Sequence, residues 1–229
     1  MKGGGPRRIA ANAGRMPVQL RFHTGLTDAE YVTAQAWRLA SMAGCPEHAR
    51  GGCGFARHGT YERKTPAGPL IARWYCPQGH RTFSLLPDHL AARFGGTLAQ
   101  IEQVVLAVEC APSVQAAADR LRPDAVTLPS AIRWVRRRLA PVRALLTTVV
   151  GLLPDSLSGC AATISALRER LACDHVLREL RQMAASHLQA LAAPLGFRGH
   201  RIAAPSSAGG ERKRRRQQPM GPDPPIGAR

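Results

Sequence analysis

Between Cys45 and Leu86, thiols and imidazoles stand in two clusters on either side of strand-like sequence, and this stretch constrains the fold more than any other. The first cluster reads Cys45-Pro46-Glu47-His48 and then Gly51-Gly52-Cys53-Gly54; the second reads Cys76-Pro77-Gln78-Gly79-His80. Between them, Gly54 to Arg63 and Leu70 to Tyr75 have the pattern of two strands, joined by the turn-forming run Thr65-Pro66-Ala67-Gly68-Pro69. Ile71, Arg73 and Tyr75 alternate with Ala72 and Trp74, so one face can pack while the other stays wet. A third short strand, Arg81 to Leu85, stops at Pro87. A hairpin this small buries too little apolar surface to hold itself, and Cys/His knuckles at its base let a metal ion do so. The layout is that of a zinc ribbon with one structural Zn2+.

Five side chains compete for four coordination places: Cys45, His48, Cys53, Cys76 and His80. Cys45 and Cys76 each open a Cys-Pro knuckle, and in the second half only His80 lies within reach of Cys76. In the first half the place falls to His48 (C-x2-H) or to Cys53 (C-x7-C, followed by Gly54). A thiolate-rich set suits zinc best and favours Cys53. His58, within Arg57-His58-Gly59 on a strand, reads as a surface or turn residue. The competing reading is a handful of unconnected buried cysteines and surface histidines; the paired spacing around a hairpin argues against it. Residues 1–24 lack the apolar run of a signal peptide or membrane span, so the expected setting is cytoplasmic and reducing. There, six cysteines with a Cys/His cluster mean metal rather than cross-links. Cys110, Cys160 and Cys173 stand alone in helical patterns and read as small buried hydrophobes.

Thirty-two Lys and Arg against fifteen Asp and Glu give the 229-residue chain a formal charge of +17, which favours a polyanionic partner. Residues 1–24 hold five Lys/Arg and no acid, as in a flexible basic arm. Thr27 and Glu30 form a capping box for a helix carrying Tyr31, Ala34 and Leu39, which Gly44 ends. After Gly95-Gly96 the pattern turns helical. Thr97 and Gln100 make a second capping box, and Leu98, Ile101, Val105 and Val108 form an apolar stripe. Ser113 caps Val114 to Leu121; a turn follows at Arg122-Pro123-Asp124; Thr127 and Pro129 then open a basic helix to Leu139. At ~100° per residue, Leu128, Ile132, Val135 and Leu139 share one face, while Ser130, Arg133 and Arg137 project oppositely beside Trp134 and Arg138. Arg136 flanks the stripe. Three short helices with a basic third one have the pattern of a helix-turn-helix, whose third helix would meet the DNA major groove; the plainer alternative is a solvated charged face on a bundle helix.

Pro141 and Pro154 bracket a further apolar helix from Val142 to Leu153. A longer one from Ser158 to Ala192 carries Leu167, Leu177, Leu180, Leu188 and Leu191, with a slip near Asp174-His175; it suits a packed hairpin or a homodimer seam. His175 and His187 read as its surface residues. From Arg198 the chain is Gly, Pro, Ser and Arg, with the block Arg212-Lys213-Arg214-Arg215-Arg216 suited to phosphate contact.

The motifs Cys45-Pro46, Arg57-His58-Gly59-x-Tyr61-x-Arg63, Arg73-Trp74-Tyr75-Cys76-Pro77 and Arg81-Thr82-Phe83-Ser84 resemble the zinc-ribbon segment of bacterial insertion-sequence transposases. The likeness covers residues 45–86. The family's final Cys-x-x-Cys-Gly stands here as Cys76-Pro77-Gln78-Gly79-His80, and the first knuckle carries an insertion. What the resemblance implies is the DNA-binding part of a transposase, either a stand-alone accessory protein or a remnant without its catalytic half. The scattered carboxylates, among them Asp88, Glu102, Glu109 and Asp119, look unlike a metal-dependent phosphoryl-transfer site, so no enzymatic activity is expected.

The expected fold class is α+β, mostly α: a zinc-ribbon hairpin module, a helix-turn-helix and a helical C-terminal region. The expected division is a disordered basic arm (1–24), a ribbon with its N-terminal helix (25–95), the helix-turn-helix (96–141), a helical hairpin (142–197) and a disordered basic tail (198–229). The expected function is DNA binding of the transposase-accessory type, nucleoid-associated and without membrane contact. The alternative is a zinc-stabilised module that binds protein partners.

Overall fold

Residues that sequence reasoning assigns to a disordered arm instead begin the sheet. In the computed structural model, which describes residues 17–121 and 129–198, strand β1 (Val18–Phe22) runs parallel to β4 (Arg81–Pro87), Val18 opposite Phe83 and Phe22 opposite Pro87. The hairpin strands β2 (Ala56–Glu62) and β3 (Leu70–Cys76) complete a four-stranded mixed sheet in the order β1-β4-β3-β2. Val18, Leu20 and Phe22 alternate with Gln19 and Arg21, the period-2 pattern of a half-buried strand. They pack with Ala72, Trp74, Phe83 and Leu85 on one face of the sheet. The basic residues Arg7, Arg8 and Arg15, the turn at Arg122-Pro123-Asp124 with Thr127 and Leu128, and the tail with its Arg212–Arg216 block lie outside the described residues.

Both expected capping boxes are present. Thr27 and Glu30 cap α1 (Asp28–Thr33), and Thr97 and Gln100 cap α2 (Leu98–Glu109). Helix α1 is shorter than its pattern suggests: after Gln35, at φ 47°, the chain makes a 3-10 turn (Ala36–Arg38) and leaves Leu39 exposed. Tyr31 anchors this segment, its hydroxyl donating to the Leu70 carbonyl at 2.9 Å and its ring edge-on to His89.

The opposite face of the sheet joins the helices. Ile71 and Leu86 belong to the same buried cluster as Leu90, Ala91 and Ala92 and the apolar stripes of α2, α3 (Val114–Leu121) and α4 (Pro129–Leu152). The stretch before Gly95-Gly96 therefore belongs to the helical core. Helix α4 also corrects the expected break at Pro141. It continues through this residue because Val135, Leu139, Val142, Leu145, Leu146 and Val149 form one unbroken buried stripe, whose burial outweighs the ~3 kcal/mol that an internal proline costs. Among the described residues no helix is long and apolar enough to cross a membrane.

The single helix expected over 158–192 is three pieces after a short turn of helix, α5 (Pro154–Leu157): α6 (Ile164–Leu171), α7 (Val176–Met183) and a 3-10 turn (Ala185–His187). Ala172, at φ 48°, ends α6. Two glutamates of α2 satisfy the new helix starts. Glu109 accepts from the backbone N–H of Ile164 and Ser165 at 2.9 Å each, and the buried Glu102 accepts from Leu177 N–H at 2.9 Å. A carboxylate there meets both the orphan donors and the positive end of the helix dipole. The stripe Leu167, Leu177, Leu180, Leu188 and Leu191, expected in a packed hairpin or a homodimer seam, packs into the core of the chain. His175 and His187 are exposed as expected, whereas Cys110 is exposed and Cys160 and Cys173 are only half-buried.

Arg181 closes this arrangement. Fully buried, it donates to the carbonyls of Asp88 (2.9 Å), Leu90 (2.7 Å), Pro194 (2.7 Å) and Leu195 (3.1 Å). Burial pushes its guanidinium down to about 9, still charged at neutral pH. Replacing it with Met strands the Asp88, Leu90 and Leu195 carbonyls, each worth ~1–3 kcal/mol unsatisfied, while that of Pro194 keeps the Ala92 N–H. Arg181→Met is expected to destabilise the chain by at least about 3 kcal/mol, read as a lower urea midpoint, and Arg181→Lys to recover only part of the loss.

His89, nearby and 6% exposed, has no hydrogen-bond partner on either ring nitrogen among the described residues, although Nε2 lies 3.3 Å from Asp28 Oδ1. Burial first, and then the charges of Arg178 and Arg181, hold its pKa down to about 4. The unfolded ring, titrating near its ordinary 6.5, binds a proton that the folded ring refuses, so His89 costs stability as pH falls from there towards 4. His89→Leu is expected to abolish this part of the acid sensitivity, measured by denaturant titrations from pH 7 to 4.

Candidate metal centre

The first knuckle is wound by backbone that few residues other than glycine adopt. Gly51, Gly52 and Gly54 have φ of 74°, 75° and 69°, and this winding carries Cys53 back beside Cys45. Within it, His48 N–H donates to the Cys45 carbonyl at 3.3 Å and Gly51 N–H to that of His48 at 2.9 Å. The second knuckle follows β3. Gly79 N–H donates to Cys76 Sγ at 3.2 Å, and a Cβ on Gly79 would stand 2.4 Å from Glu47 Oε2, so a larger residue there would displace the Glu47 carboxylate. An ion pair between Glu47 and Arg81 joins the two knuckles from outside.

Cys45, His48, Cys53 and Cys76 converge, their ligand atoms all within 4.8 Å of one another. His48 Nδ1 lies 3.4 Å from both Cys45 Sγ and Cys76 Sγ. A tetrahedral zinc with its usual bond lengths sets S···N edges of about 3.5 Å, so the spacing fits a single ion. The donor set fits too: three thiols and an imidazole are a zinc shell, and the three cysteines are buried while His48 is half-buried. Burial would raise the Cys45 thiol, but hydrogen bonds from His48, the Glu47 backbone and Cys76 outweigh it and bring it down to about 7. Cys76 moves the other way, pushed up chiefly by burial. An aromatic floor supports the group: Phe55 stacks on Trp74 at 5.4 Å and meets Phe83 edge-on at 5.8 Å.

Both first-knuckle candidates thus join the group, and His80 does not. At φ 48°, His80 turns its exposed ring towards the Tyr75 hydroxyl, 3.4 Å from Nδ1. The expectation that the second half supplies two ligands fails because the glycine-wound first knuckle supplies three. His58 is exposed, as expected.

The basic residues of α4 fall as the helical wheel indicates. Ser130, Arg133, Trp134 and Arg137 are exposed; Arg138 is half-buried, its guanidinium 3.9 Å from the centre of the Trp134 ring. Arg136, expected at the edge of the stripe, is exposed and shares with Arg133 and Arg137 a cleft of about 450 Å³.

A further polar cluster escapes sequence reasoning. Asp88 binds Arg21 Nε at 2.6 Å and His23 Nδ1 at 2.7 Å beside a cavity of about 420 Å³ that Cys173, His175 and Arg178 also line. Burial would raise the Asp88 carboxyl, but hydrogen bonds from Arg21 and His23 hold it below its usual value. The alternation of Val18 to Phe22 was the signal that could have placed Arg21 on a strand.

The purified chain is expected to carry one zinc. Cys76→Ser and His48→Ala should lose it, whereas His80→Ala should retain it, as read by metal analysis and by the thiolate bands of the cobalt-substituted protein. Loss of zinc from His80→Ala with retention by His48→Ala would reverse the ligand assignment. No protein-family model, curated protein or solved structure matches the chain, so what the site does rests on its own geometry.

Proposed function

We propose that this is a DNA-binding protein of the transposase-accessory type, in which one structural zinc on Cys45, His48, Cys53 and Cys76 holds a zinc-ribbon hairpin in shape. Helices α2, α3 and α4 act as a helix-turn-helix, with α4 presented to the major groove. The observation that carries the reading is the exposed ridge of Arg133, Arg136 and Arg137 beside Trp134, with no carboxylate partner among the described residues, on a chain of net charge +17. Guanidinium groups without a carboxylate partner among the described residues suit phosphates and the O6/N7 edge of guanine. The metal's part is structural: it substitutes for a core that the hairpin cannot build alone. The resemblance of residues 45–86 to insertion-sequence zinc ribbons supports the same reading.

Duplex affinity is expected to fall steeply with salt, each phosphate contact adding about −0.9 to the log–log slope. Arg133→Ala with Arg137→Ala should flatten sequence preference more than deletion of residues 211–229, measured by gel shift on a set of duplexes. Equal weakening on every sequence by both changes would remove α4 from recognition.

A further inference from the structure

We propose that the part of the β2–β3 hairpin beyond Ile71, on the sheet face that meets the helices at Ile71 and Leu86, is a stacking platform for an unpaired stretch of DNA, a proposal that rests on nucleic acid being the partner. Strand alternation puts Arg73 and Tyr75 on one face, and Tyr61, opposite Ile71, shares it. Three side-chain contacts gather the row into two adjacent groups. Arg73 lies 5.7 Å over the Tyr61 ring, the His58 and Tyr75 rings are 5.5 Å apart, and His80 meets the Tyr75 hydroxyl.

These groups are accessible, and of them only Tyr61 also packs against the helical core. His58 and His80 are exposed and Tyr61, Arg73 and Tyr75 half-buried, whereas the aromatics of the opposite face, Phe55, Trp74 and Phe83, are spent on one another beneath the metal cluster. The charge of the row suits a polyanion. Its neighbours on β4, Thr82 opposite Tyr75 and Ser84 opposite Arg73, are neutral, so no carboxylate stands among them. Rings bearing π-faces, with an arginine beside them, are how proteins hold single strands without reading their sequence. Outward side chains along one strand are about 6.6 Å apart. An extended, unstacked strand can match that spacing; a duplex, with bases about 3.4 Å apart along each strand and faces hidden in the stack, cannot. The hairpin therefore differs in ligand from α4, which suits duplex DNA.

The test uses the full zinc-loaded chain with three probes: a 20-nucleotide oligo-dT, an abasic strand of the same length, and a 20-base-pair duplex. Wild type is expected to bind oligo-dT about tenfold or more tighter than the abasic strand, since only the first has bases to stack. Tyr75→Ala should weaken oligo-dT binding about five- to hundredfold, the effect of losing one stacked base, with abasic and duplex binding unchanged. Tyr75→Phe should retain the preference. The salt slope should not move with Tyr75→Ala and should fall by about 0.7 with Arg73→Ala. His58→Ala, at an exposed position, asks the same of a residue that the fold does not need. Equal wild-type affinity for oligo-dT and the abasic strand overturns the proposal, as does a Tyr75→Ala loss shared by both strands. If oligo-dT shows no preference while Arg133→Ala with Arg137→Ala still impairs duplex binding, the α4 reading stands and this one falls. If none of the probes binds, both fall.

Discussion

Three sulfurs and an imidazole nitrogen packed around one point set the terms for the first third of the chain. Their atoms lie within 4.8 Å of one another in a space from which the cysteines are nearly shut off from water. A shared cation would satisfy all four at once, turning the mutual repulsion of thiolates into common attraction. The local backbone follows from that demand. Three glycines at positive φ wind Cys53 inward, and Gly79 leaves room for the Glu47 carboxylate beside the cluster.

The sheet reaches beyond this knuckle. One of its faces carries the cysteine cluster and the α1 segment, while Ile71 and Leu86 on the other belong to the helical core. Arg181 then ties the end of β4 to the C-terminal segment through backbone carbonyls alone. A guanidinium has five donors in a fixed fork, which is why one side chain can hold strands of backbone that have no ladder in common.

Where local chemistry decides the structure, the sequence was readable. Thr27 and Thr97 cap as their Glu30 and Gln100 partners indicate, Ser113 caps α3, and the hairpin strands fall within two residues of their pattern. The cluster's membership was legible except at its edges: the spacing raised His48 and Cys53 as rivals, yet the winding of Gly51 and Gly52 accommodates both. Tertiary packing decided the rest. Five residues of strand at Val18 were masked by the glycine and arginine run before them, and their partner β4 lies over sixty residues away. Pro141 would break an isolated helix but sits in one whose buried stripe continues on both sides. The leucine pattern over 158–192 was correctly apolar but wrongly continuous, since periodicity cannot see the left-handed turn at Ala172.

That turn gives α2 an unusual duty. Glu102 and Glu109 stand seven residues apart, two turns of helix, so both carboxylates leave the same side and each receives the start of a different later helix. The interval works as a gauge. One residue added between them would swing the second acid by about 100° and leave the start of α6 without its acceptor, however apolar the stripe remained. Natural variation should therefore lengthen this protein at its loops and leave the stretch from Glu102 to Glu109 the same length.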